Sequence, residues 1–260
     1  MVVCAAQKVL GDSDKKFYAE NGYLLIRNTV SDAWLARLRN AVREVGETHR
    51  EQICSTRRVG VHATHSRAKP ALEWVSNPDI DSEAIWTFAS APEILNLVAG
   101  LLGDDICFHH SLLVFNRLGA RSYDWHQDAA YRPDPNATSV LISVHLADYG
   151  PLDARNAVIP GSHKGPLFSH ADEHGAFVGL ISKDDLQKVD TTSKIELTRT
   201  AGAVEFLHPL TIHQDDVGCQ CDGGAILRFA YISGSPHAKF EGGSHRYGTN
   251  VRGRSTEATT

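Results

Sequence analysis

The sequence predicts a mainly β protein with flanking helices, its strands gathered into a sandwich or barrel behind an N-terminal helical part. Three observations predict this. From Asp105 onward, short β-rich runs recur between Gly and Pro turn residues. Those runs do not alternate with helical patterns as βαβ units would. The chain's 260 residues, 42% apolar and 22% charged, suffice for one full core, at a length where all-β barrels and sandwiches still fold as one unit. A single domain over 1–260 is expected, with a mainly helical part and loop to 104, a β core over 105–235 and a C-terminal tail over 236–260.

The elements follow in order. Asp12–Glu20 reads as helix and leads into an apolar stretch of strand character, Gly22–Ile26. Ser31 offers an N-cap to a helix over Asp32–Thr48, where Trp34, Leu35, Leu38, Ala41 and Val42 fall at helical spacing. Glu51–Pro70 carries Arg57, Arg58, His62, His65 and Arg67 without periodicity and reads as a solvated loop. Ala84–Leu102 returns to helix and stops at Gly103. Strands are expected over Ile106–Asn116, Ser139–Ala147, Ala157–Pro160, Ile195–Thr198, Ala203–Leu207 and Ala225–Ile232. The long connection Lys164–Lys194 is a candidate rim or lid, because long connections in compact domains are usually functional.

Charge and cysteines narrow the function. A net charge of −5 is the wrong sign for a phosphate-backbone binder, so no nucleic acid is expected. No apolar run approaches the ~20 residues of a membrane span, and Met1–Leu10 lacks a leader pattern, so no membrane is expected and the expected location is cytoplasmic. Five scattered cysteines do not form a disulfide framework, and Cys219-x-Cys221 is not a C-x-x-C zinc pair.

The 14 histidines pose the question of which converge. In His126-Gln127-Asp128, residues i and i+2 project to one side of an extended backbone, so imidazole and carboxylate can grip one ion. A third ligand is needed, and His213, just after the strand ending at Leu207, is the choice. Two histidines and one carboxylate on one face make the non-haem iron(II) arrangement, with three positions left open. Arg228 lies inside an apolar strand, where an unpaired charge is costly. Its head either sits at the sheet edge, pairs with a protein carboxylate, or grips a dicarboxylic cosubstrate.

Together, Trp125-His126-Gln127-Asp128, Ala147-Asp148, Ile159-Pro160-Gly161-Ser162-His163-Lys164, His213 and Arg228 resemble, in this order, the phytanoyl-CoA dioxygenase family of iron(II)/2-oxoglutarate-dependent oxygenases. The likeness runs from Phe17-Tyr18-Ala19-Glu20-Asn21-Gly22-Tyr23 to Tyr231. It implies a double-stranded β-helix (a jelly-roll, cupin-like core), Fe(II) held by His126, Asp128 and His213, and 2-oxoglutarate whose far carboxylate meets Arg228. It further implies cosubstrate contacts from Arg117 and Asn156, a wall from Leu113, and a structural role for His163. Dioxygen and a small organic metabolite, such as a natural-product intermediate, would be the other partners, with hydroxylation, desaturation or ring formation the outcome. Halogenases of this type replace the carboxylate ligand with a small residue, and Asp128 is present. Two features depart from the family pattern: Asp153-Ala154 replaces an Asn-Gly, and Gln214-Asp215-Asp216 follows the distal histidine. His109 and His110, as strand neighbours, are expected to point to opposite faces, so at most one faces the cavity. Two other readings keep the same ligands: a non-catalytic cupin-like metal-binding protein and a zinc hydrolase.

Overall fold

The computed structural model describes residues 8–51, 58–61, 66, 71–115, 123–132, 138–148, 156–215, 224–234 and 245–253. The chain opens with α1 (Asp12–Asn21), β1 (Tyr23–Ile26), α2 (Asp32–Glu51), β2 (Val59–Val61), β3 (Leu72–Ser76), α3 (Glu83–Ala89) and α4 (Pro92–Leu102). It continues through β4 (Ile106–Phe115), β5 (Tyr123–His126), β6 (Ser139–His145), β7 (Ala157–Val158), β8 (Ile195–Glu196), β9 (Val204–Leu207), β10 (His213–Asp215), β11 (Ala225–Ser233) and β12 (Asn250–Arg252).

The strands pair antiparallel in two sheets. The larger runs β1-β9-β6-β11-β4-β3-β2, with β12 also on β4, and the smaller runs β5-β10-β7-β8. Tyr23, Leu141, Leu207 and Ala230 of the large sheet pack on Val158 of the small one, so the sheets face each other as the jelly-roll expectation requires. The other face of the large sheet, with Leu113, Ile142, Phe206, Leu227 and Phe229, is covered by Leu35, Leu38 and Val42 of α2, Phe88 of α3 and Leu95 of α4. A third cluster, Trp125, Ala157, Ile159, Ile181 and Ile212, joins the small sheet to the connection after it. Among the described residues no single helix is long and apolar enough to cross a membrane.

Ser31 caps α2 as expected, its Oγ accepting from Trp34 N. The helix expected over Ala84–Leu102 is instead two, bent by 44° at Ser90-Ala91. Pro92 accounts for the break: its ring and missing N–H suit the first position of a new helix and disfavour the interior of an old one. The part expected to be mainly helical also adds β1, β2 and β3 to the large sheet, and the tail adds β12. β1 is the stretch expected to have strand character, whereas β2, β3 and β12 are short and exist through their pairing, so local pattern does not announce them. β2 lies inside the expected loop, and Arg58 beside it is no solvated side chain. It donates to Ser76 O and Asn77 O and pairs with Asp81 at 2.6 Å. Arg57, His62, His65 and Arg67 lie outside the described residues.

One corner ties the N-terminal part to the core. Gly22 ends α1 with φ +79°, and an added Cβ would collide with Thr211 and His163. Its carbonyl accepts from His208 N and Thr211 Oγ1, both at 2.8 Å, while Gly161 N donates to Asn21 O and His163 Nε2 to Ala19 O. The Asn21-Gly22 opening, the Pro160-Gly161-Ser162-His163 turn and the segment entering His213 therefore meet at one point. His163 is structural, as expected.

Candidate metal centre and its cavity

His126 closes β5 and His213 opens β10, and antiparallel pairing sets the two directly opposite each other. Their rings lie 4.0 Å apart between centroids. Gln127 remains extended (φ −130°, ψ 126°) before the chain turns into a 3-10 helix at Asp128. Asp128 Oδ1 then sits 4.0 Å from His126 Nε2 and 3.9 Å from His213 Nε2. One ligand atom from each residue lies within 4.8 Å of the other two, the only such grouping of three among the described residues. The expected triad converges.

The donor chemistry fits a divalent transition metal. Nδ1 of each histidine donates to the carbonyl two residues earlier, His126 to Asp124 O (2.8 Å) and His213 to Thr211 O (3.0 Å), which leaves the lone pair on Nε2. His213 Nε2 and Asp128 Oδ2 are buried with no hydrogen-bond partner among the described residues. Burial, then the neighbouring His213, depresses the His126 pKa to about 4, so the ring is neutral near pH 7. Burial alone would raise the Asp128 pKa, but His213, His126, Arg228 and Arg132 outweigh it and hold the carboxyl below its ordinary value. Two imidazole Nε2 atoms and one carboxylate suit iron(II).

The middle residue of the motif, unassigned by sequence reasoning, is the clasp of the site. Gln127 is fully buried. Its amide donates to Pro166 O (3.1 Å) and Leu210 O (2.9 Å) and accepts from Phe168 N (2.9 Å), and its backbone N–H donates to His170 Nε2 (2.9 Å). His170 Nδ1 is in turn satisfied by Phe168 O. The connection after the Pro160-Gly161 turn therefore braces the ligand pair. Tyr131 completes a rim: its hydroxyl donates to Gly179 O (2.6 Å) and its ring meets Phe177 edge-on at 5.1 Å. A glutamine flanked by two ligands was the available signal.

The triad opens on a cavity of about 400 Å³ between the sheets, whose lining includes His126, Asp128, Arg132, Asp215 and Arg228 along with Trp74, Leu112 and Val114. Arg228, on β11, projects from the large sheet toward the ligands on the small one. Of the alternatives for its head group, the structure realises the protein carboxylate: Nη2 forms a short ion pair with buried Asp215, two residues after His213. Asp215 is held well below the carboxylate range, since Arg228 outweighs the opposing effect of burial. Arg228 Nε keeps no partner among the described residues.

The remaining expectations fare differently. Leu113 is fully buried in the helix-covered core, while its neighbours Leu112 and Val114 line the cavity; strand alternation turns the expected wall residue the other way. Asn156 is buried just before β7, its Oδ1 has no partner among the described residues, and it is not among the described residues that line the cavity. Arg117, Asp153, Ala154, Asp216, Cys219 and Cys221 lie outside the described residues. The expectation that at most one of His109 and His110 faces the cavity is overturned, since both line it. Ala230 pairs with His110 and Tyr231 with Phe108, so His109 is the extra residue of a β-bulge and alternation is suspended there.

The phytanoyl-CoA dioxygenase (PhyH) family model matches residues 18–214. The chain belongs to that family. Among PhyH relatives, peroxisomal phytanoyl-CoA dioxygenase of Bos taurus is 30% identical over 217 residues, covering 79% of this chain and 63% of its own. A probable alpha-ketoglutarate-dependent hypophosphite dioxygenase of Stutzerimonas stutzeri is 26% identical, covering 75% and 69%. The chain thus spans under two thirds of the bovine relative's length. The fold is that of EctD from S. alaskensis with bound Fe, at a TM-score of 0.70, 17% identity and coverage of 88% and 79%. It is also that of the carbocyclase SnoK from nogalamycin biosynthesis, at 0.68, 17%, 86% and 84%.

Proposed function

We propose that this PhyH-family chain is an iron(II)- and 2-oxoglutarate-dependent dioxygenase that oxidises a C–H bond of a small organic molecule, in the cytoplasm. The observation that carries the reading is the triad itself: His126 and His213 present Nε2 lone pairs beside Asp128, at the edge of a cavity that also holds Arg228. Family membership and the alpha-ketoglutarate dependence named for the Stutzerimonas stutzeri relative support it.

When bound, iron and the keto acid supply the oxidising power: dioxygen is reduced as 2-oxoglutarate loses CO2 to become succinate, one oxygen atom going to succinate and the other to product or water. The chain's own part is orientation. His126, Asp128 and His213 would hold iron on one face, and Arg228 would receive the far carboxylate of 2-oxoglutarate through donors that Asp215 leaves free. A cavity of about 400 Å³ suits a small substrate rather than a large conjugate.

Anaerobic titration with iron(II) and 2-oxoglutarate tests this. The expected result is a visible metal-to-ligand charge-transfer band, absent in His126→Ala, Asp128→Ala and His213→Ala, and substrate-dependent succinate release once dioxygen is admitted. No band in the folded wild-type protein, or an undiminished band in His213→Ala, would overturn the assignment.

A further inference from the structure

Two arginines line the metal cavity, and they stand in different states. Arg228 is engaged by Asp215. Among the described residues no carboxylate lies within ion-pair distance of Arg132, whose guanidinium is steadied by a hydrogen bond from Nη1 to Ser139 Oγ. Its backbone is fixed by Arg132 N donating to Ala129 O at 3.2 Å, directly after the turn that carries Asp128 and the rim residue Tyr131. A cation held in place on a cavity wall, with no ion-pair partner among the described residues, is a site for an anion of the ligand's.

The bulge in β4 adds an imidazole pair to this wall. His109 and His110 both line the cavity, with their Nδ1 atoms 2.6 Å apart. One Nδ1 must accept from the other, so the accepting ring, if neutral, carries its proton on Nε2. Burial, with Arg132 contributing, holds His109 at about 4 and His110 at about 3, so both rings are uncharged near pH 7.

We propose that Arg132, with the bulged His109–His110 pair, forms the subsite for an oxyanion head group, carboxylate or phosphorus oxyanion, on the primary substrate. Leu112, Val114 and Trp74 would receive its hydrocarbon body. The assignment rests on the oxygenase reading only in calling that ligand the substrate; 2-oxoglutarate is left to the metal and Arg228.

The test is calorimetric titration of anaerobic protein loaded with iron(II) and 2-oxoglutarate, using butyrate, phosphite and the neutral control butyramide. At least one anion should bind about tenfold or more tightly than butyramide, the scale of one charge-assisted contact; which one does so identifies the head group. Arg132→Gln should erase that preference and Arg132→Lys restore part of it, while the charge-transfer band titrates with 2-oxoglutarate within about twofold of wild type. Circular dichroism checks the fold of both variants. Anion binding unchanged in Arg132→Gln, no preference over butyramide, or loss of the 2-oxoglutarate band in Arg132→Gln would each overturn the subsite. If wild type forms no band, the oxygenase reading fails instead, and the same titration of metal-free protein still decides the subsite.

Discussion

Arg228 already has a partner inside the protein, so its affinity for an incoming carboxylate is set by exchange rather than by capture of a vacant charge. Asp215, only 6% exposed, competes for the guanidinium that is proposed to bind 2-oxoglutarate. Arg228→Ala should weaken 2-oxoglutarate binding by about 1.5–3 kcal/mol, roughly ten- to a hundredfold, with Arg228→Lys recovering only part. Asp215→Asn should do the opposite. With the competitor gone, 2-oxoglutarate binds a few-fold more tightly, while the ligand-free protein melts at lower temperature because a buried guanidinium has lost its counter-charge. Titration of the charge-transfer band and melting curves with and without 2-oxoglutarate check both. An Asp215→Asn protein of unchanged 2-oxoglutarate affinity would make the pair purely structural.

At the scale of elements, the site is a joint between two strand ends and a connection that folds back on them. Gln127 makes that joint, so Gln127→Ala should lower metal affinity about 10- to 100-fold while leaving every ligand present. Cobalt(II) titration reads this directly, and wild-type affinity would show that the clasp is dispensable. How much of this was legible follows from which signals are local. The β-rich runs that form β4, β6 and β11 and the N-cap of α2 are written in neighbouring residues. The H-x-D pair and the distal His213 could likewise be singled out by residue type and order. What pairs with what was not local. β2 and β12 are three residues each and owe their existence to their partners, β2 to the next strand, β3, and β12 to β4 far back along the chain. The face that Leu113 presents depends on one inserted residue, His109, whose effect becomes visible only when β11 is laid beside β4. Arg228 was legible as a costly charge; that Asp215 answers it required knowing that β10 and β11 face each other across the cavity.

Across the whole molecule, stability should depend steeply on acid. Burial depresses the pKa of His145 and His208 to about 4 and of His110 to about 3, against an ordinary value of 6.5. Between those values the unfolded chain binds protons that the folded chain refuses, so stability falls as pH drops from about 6.5 to 4. Glu205 adds a lower window. Burial alone would raise it, but Arg199 at 2.6 Å and His145 hold it near about 2, so its contribution, full above 4.5, is lost as pH falls toward 2. Urea midpoints of the metal-free protein at pH 7, 5.5 and 4 should decline at each step, and a flat series would refute this. The helix-covered core supplies the opposing term: Phe229→Ala, at a fully buried site, should cost about 3–5 kcal/mol in urea unfolding. The bulge at His109 gives β4 a changeable parity. Residues on one side of it count odd and even differently from those on the other, and one histidine stands at the change of frame. Deleting that single residue would restore uniform counting along the strand. Ala230–His110 and Tyr231–Phe108 would then be consecutive rungs, so the core and the cavity wall would both keep their present faces and only the His109 ring would be lost. A relative that lacks the extra residue would show the same two faces with one imidazole fewer on the cavity wall.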